Sequence, residues 1–179
     1  MLTITIPKGE QFDDVNSVFI ITNEQTLKLE HSLVSLAKWE SKWNRPFLSN
    51  EAKTYEESVD YIRCMTLTQN VKPEAYNFIT EKNMRKVSEY IEAPMTATIF
   101  IEEKKTKNKE IITAEIIYYW MIAMTVPMEC QKWHLNRLLT LINVCNVKNQ
   151  KPKKLSKNDL NARNRDLNAQ RRKQLNTKG

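Results

Sequence analysis

A chain of 179 residues with 41% hydrophobic content can bury the core of one domain and still carry an appendage. Only two glycines are present, which makes tight β-hairpins scarce and argues against phosphate-cradling loops, where the backbone must approach the ligand. The net charge of +7 is unevenly placed: residues 148–179 hold eleven Lys or Arg against two Asp, +9, leaving −2 for residues 1–147. The basic character therefore belongs to the tail and does not make the body a nucleic-acid binder.

The opening "LTITI" alternates with period two and is β-branched, so it predicts a strand. Further strands are expected around Val18–Ile21 and Thr26–Glu30, giving a small N-terminal β element over residues 1–30. At His31 the period changes. Leu33, Leu36, Trp39 and Trp43 recur at three or four residues and mark a helical face. Pro46 ends that helix by restricting Arg45. Thr54-Tyr55-Glu56-Glu57 is a capping-box pattern, and the helix after it should turn Val59, Ile62 and Met65 inward. Pro73 opens a short helix with Tyr76 and Ile79, and the next helix presents Met84, Val87 and Ile91.

Thr96–Ile101 and Glu110–Ile112, joined by "EEKKTKNK", read as a β ribbon. Thr113 then caps a helix over Ala114–Met124 that is apolar on almost every side, the best candidate for a central core helix. Pro127 suits the first turn of one long helix, "PMECQKWHLNRLLTLINVCNV", with Trp133, Leu135, Leu138, Leu139, Leu141, Ile142, Val144 and Cys145 as its apolar set. Residues 148–155 form a basic linker, and Ser156 caps a last basic helix over 156–179. There Leu160, Leu167 and Leu175 make a stripe too narrow to fold on its own core. The expected class is α+β and mostly α-helical: a globular domain over 1–147 with its strands in 1–30, the linker, and the helical tail.

Chemistry is sparse. His31 has no second ligand at a useful spacing, and His134 lacks an HExxH or Glu-x-x-His context, so both read as hydrogen-bonded structural histidines rather than metal ligands. Cys64, Cys130 and Cys145 are odd in number, widely spaced and without a CxxC; they point to a reducing compartment and buried thiols. GxSxG, SxxK and Walker patterns are missing, and the paired carboxylates fall in loops or first helical turns. No enzymatic activity, cofactor or metal is expected. The opening residues lack the order of a signal peptide, and "IIYYWMIAMTVPM" is too short to span a bilayer. These features predict a soluble cytosolic protein.

Core packing accounts for Trp39, Trp43, Trp120 and Trp133 in the plainest reading. The competing reading places Trp39 or Trp43, beside "NRPFL", in a protein-binding patch, since aromatic anchors dominate interfaces. The tail has three readings. Arg163, Arg165, Arg171, Arg172 and Lys173 could grip phosphates, with a steep loss of affinity in salt. Leu160, Leu167 and Leu175 could dock in a partner's groove while the same basic residues meet acidic rims. The third reading is a solvated, partly disordered tail. Aromatic and basic residues are segregated, which disfavours single-strand binding.

Four stretches, "LEHSLVSLAKWESKWNRPFLS", "TYEESVDYIRCMT", "ECQKWHLNRLLTLINVC" and "LNARNRDLNAQRRKQLNTKG", together resemble the tail assembly chaperones of tailed bacteriophages, from about Leu29 to Gly179. The resemblance implies a non-enzymatic, mostly helical protein of the host cytoplasm. Such a protein binds the tape-measure protein, keeps its hydrophobic helices soluble, helps recruit tail-tube subunits, and is absent from the finished virion. Homo-oligomerisation is expected, with no membrane partner. The basic tail keeps two alternatives open: a structural virion protein of the tail, baseplate or connector, and a nucleic-acid-binding accessory protein.

Overall fold

A computed structural model of the chain describes residues 1–13, 17–100, 111–149 and 157–175. The chain divides into two compact units, Met1–Asn146 and Val147–Gly179. The class is α+β and mainly helical, with two small two-stranded sheets.

Four strands open the first unit: β1 Leu2–Ile6, β2 Gly9–Asp13, β3 Val18–Thr22 and β4 Gln25–Leu29. β1 pairs antiparallel with β4, and β2 with β3. Leu2 opposes Leu29 and Gly9 opposes Thr22, so both pairs keep one register and form a single long ribbon. The ladder lapses at Pro7, which has no amide hydrogen to give. Period-two alternation decides the inward face of the base: Ile4, Ile6, Leu27 and Leu29 are buried, while Thr3, Thr5, Thr26 and Lys28 face water. Gly9 is required where it stands, because the ring of Phe78 occupies the space a β-carbon would need.

Helix α1 spans Leu33–Trp43 and is capped at Ser32, which trades hydrogen bonds with Ser35. It ends at Asn44 in the left-handed conformation (φ 51°). Helix α2, Tyr55–Met65, starts on the anticipated box: the Glu57 amide donates to Thr54 Oγ1 at 3.2 Å and the Thr54 amide to Glu57 Oε2 at 2.7 Å. A 3₁₀ segment over Pro73–Phe78 leads to α3, Glu81–Glu92, and α4 spans Ala114–Ala123. Leu33, Leu36, Trp39, Tyr61, Ile62, Met65, Ile117, Met121, Leu135 and Leu138 close the core against the base of the ribbon.

One buried carboxylate joins distant parts of this unit. Glu40 accepts from the Phe47 amide at 2.8 Å and from the Ala114 amide at 2.7 Å. Thr113 is the N-cap of α4, as anticipated, but its side chain makes no capping bond; Glu40 supplies the acceptor. Glu40→Ala is expected to cost about 3 kcal/mol in urea unfolding, since two buried amides lose their acceptor.

Three expectations need correction. α4 is not a central helix: Ala114, Ile117 and Met121 are buried, but Glu115, Tyr119, Ile122 and Ala123 face outward. The long helix from Pro127 is broken in two, a 3₁₀ segment Met128–Lys132 and α5 over Leu135–Asn149. Between them Trp133 is extended, and the chain docks on the end of β4: the Leu135 amide donates to the His31 carbonyl at 2.8 Å, and Ser32 bridges to His134. These tertiary bonds outweigh the local helical pattern. Thr96–Phe100 and Ile111–Ile112 form no strand, and the rest of the expected ribbon lies outside the described residues. Linker residues 150–155 and the Ser156 cap also lie outside them.

The second unit contributes α6, Lys157–Leu175. Side chains from Asn161 to Leu175 are exposed throughout.

Candidate interaction surfaces

Three places in the first unit stand out, two of them polar and one apolar. The first is a buried pair of histidines. The His31 and His134 rings meet edge to face, 5.1 Å between centroids. His31 Nδ1 shares a 2.6 Å hydrogen bond with the Tyr61 hydroxyl. His134 takes the Asn136 amide on Nδ1 at 3.3 Å, so its proton sits on Nε2, which donates to the Tyr90 carbonyl at 2.9 Å. Burial, and then the neighbouring His134, push His31 down to about 3. Burial also lowers His134. Both rings are therefore neutral packing groups at pH 7. Nearby, Tyr90 donates to Glu30 at 2.7 Å, and the terminal ammonium of Met1 lies 3.0 Å from the same carboxylate.

The second place is the seam between α1 and α2. Asp60 accepts from Lys42 and from Trp43 Nε1, and these bonds outweigh burial to hold its carboxyl below the usual range. The Thr54 amide, with Arg45 at 2.6 Å, does the same for Glu57. Asp60 and Glu57 each meet a cation, so the two carboxylates belong to a structural ion-pair network. Cys64 is half-buried and Cys130 buried; burial pushes the Cys64 thiol up, away from the reactive thiolate. Among the described residues no group of three His, Cys, Asp or Glu is placed to hold a metal ion. None of their helices is long and apolar enough to cross a membrane.

The third place is the outer half of the ribbon, which is apolar and open. Phe12 and Phe19 oppose each other across β2 and β3, with ring centroids 5.0 Å apart. Phe12, Val18, Phe19 and Ile21 are 46, 51, 62 and 69% exposed. Along β3 runs a groove of about 750 Å³, lined by Val18–Thr22 on one side and by Lys72, Pro73 and Glu74 on the other.

The anticipated partner-binding residues fall into two groups. Trp39 is a core residue: it is fully buried, and its Nε1 donates to the Glu57 carbonyl at 2.9 Å. It cannot anchor a partner on the surface of this fold. Trp43, one turn on, is half-buried and tied to Asp60. On α6, Arg163, Arg165, Arg171, Arg172 and Lys173 are exposed, as are Leu167 (41%) and Leu175 (72%). The Leu160 side chain lies outside the described set. The strand expected around Val18–Ile21 is present, but its pairing with β2 and the exposure of its apolar side chains were not anticipated. The only signal was an uncharged β-branched and aromatic run, Val18–Thr22, beside a second phenylalanine at Phe12.

Comparison of the chain with protein families, with curated proteins and with solved structures finds no match in any of the three.

Proposed function

We propose that the chain is a non-enzymatic protein-binding factor of phage tail morphogenesis, acting on the tape-measure protein or on tail subunits. The observation that carries the binding reading is α6: a 19-residue helix that exposes Leu167 and Leu175 among arginines. Helices in proteins take most of their stability from packing an apolar face, and an apolar stripe gains free energy only against another polypeptide surface. The basic residues flanking the stripe suit a groove with acidic rims. The phage setting is supported by the sequence resemblance. A structural subunit of the tail, baseplate or connector would use the same helix, and the same exposed basic row keeps nucleic acid as a second reading.

Co-expression with the tape-measure protein of the same genome tests this. The wild-type chain is expected to hold that protein in solution, and the L160S/L167S/L175S variant to lose most of that effect with its fold intact by circular dichroism. An unchanged yield of soluble client from the variant would reject the reading. A duplex oligonucleotide bound with a steep negative dependence of log affinity on log salt would favour the nucleic-acid alternative.

A further inference from the structure

We infer that the outer edge of β3, which pairs with no strand among the described residues, is a self-association site, where the strand pairs antiparallel with β3 of a second copy of this chain. The two edges of the outer ribbon differ. β2 carries Glu10, a charge of the kind that guards an edge against pairing. β3, Val18-Phe19-Ile20-Ile21-Thr22, has no charge and no proline. A groove of about 750 Å³ lies open along it.

The strand is complementary to itself. A two-fold axis through Ile20 uses all five residues and sets Phe19 of one copy opposite Ile21 of the other, twice over. Phe19 and Ile21 share one face, being two apart, and both are exposed. An aromatic side chain opposite a β-branched one is a favourable cross-strand pair. Charge points the same way. Two copies meeting along β2 would bring the Glu10 carboxylate of each to the seam, whereas two copies meeting along β3 bring no charge from the strand. The groove's far wall adds one cation and one anion, Lys72 and Glu74, whose charges cancel.

The area sets the strength. Two half-exposed phenylalanines and two β-branched side chains offer a few hundred Å² per copy, below the roughly 800 Å² per partner of a standard stable interface. The dimer is therefore weak, forming in the micromolar range. The pairing stands on the ribbon alone and is independent of the reading of α6.

Sedimentation velocity of the full chain across the micromolar range tests it. The wild type is expected to show a concentration-dependent monomer–dimer equilibrium. F19K/I21K puts like charges across both pairs and should weaken association by about tenfold or more. F19K/I21E puts unlike charges across both pairs and should recover dimer relative to F19K/I21K. All these positions are exposed, so each variant should keep the wild-type unfolding midpoint within a small margin. A wild type that stays monomeric throughout overturns the inference. So does an F19K/I21K variant that dimerises like the wild type, or an F19K/I21E variant no better than F19K/I21K. A monomeric wild type that binds an added strand-forming peptide along β3 would give the edge to a foreign strand instead.

Discussion

Trp39→Ala is expected to lower the unfolding free energy by about 3–5 kcal/mol, the range for deleting a large buried aromatic side chain. The indole is fully buried, packs edge to face on Phe47 at 5.1 Å, and stacks on Trp43 at 6.1 Å. Its Nε1 bond to the Glu57 carbonyl, which α2 also engages through the Tyr61 amide, is lost as well and adds about 1 kcal/mol. A domain whose total stability is on the order of 5–15 kcal/mol would then be close to unfolding at ambient temperature. Trp43→Ala should cost much less, because that ring is half-buried and its Asp60 partner keeps Lys42. Urea midpoints of the two variants check the contrast. Equal losses would mean that the two rings share the core equally, against the burial seen here. A Trp39→Ala protein as stable as the wild type would deny Trp39 its place in the core.

The Trp39–Trp43 difference shows what periodicity conveys and where it stops. Spacing of three and four put Leu33, Leu36, Trp39 and Trp43 on one helix face, and α1 spans those residues. Spacing alone could not say which ring lies at the middle of that face and which at its rim. Thr54 and Glu57 were legible because a capping box is local chemistry. α4 was misjudged for the opposite reason: an apolar composition does not tell which side has a neighbour, and Tyr119 and Ile122 have none that buries them. β2 escaped notice because Gly9-Glu10-Gln11-Phe12-Asp13 has little strand propensity; its ladder with β3 and the ring of Phe78 under Gly9 hold it. The break at Trp133 and the meeting of His31 with His134 depend on residues far apart in sequence, so no local pattern could announce them. At the surfaces the outcome is similar. The leucines of α6 were visible as a stripe without a core, whereas the open edge of β3 became visible only once its register was known.

The histidine pair makes the fold acid-sensitive in a defined window. An unfolded histidine titrates near 6.5, while burial and His134 hold His31 at about 3 in the folded chain. Between those values the unfolded state binds a proton that the folded state refuses, so stability rises with pH. The contribution of His31 is complete above about pH 6.5 and is lost as the pH falls toward 3, at a limiting slope of about 1.4 kcal/mol per pH unit for one proton. His134 is lowered as well and steepens the loss in the upper part of the same window. The urea midpoint is therefore expected to be nearly flat from pH 8 to 7 and to drop steadily from pH 6 to 4. His31→Asn keeps a side-chain amide where Nδ1 meets Tyr61, but it carries no titrating group. Its midpoint at pH 7 should be lower than wild type, and its decline from pH 6 to 4 shallower. Carboxylates held below their usual range, such as Glu57 and Asp60, add a loss that sets in at lower pH and is common to both proteins, so the comparison isolates the histidine. A variant with the same slope as wild type would show that His31 is not the group whose protonation opposes folding.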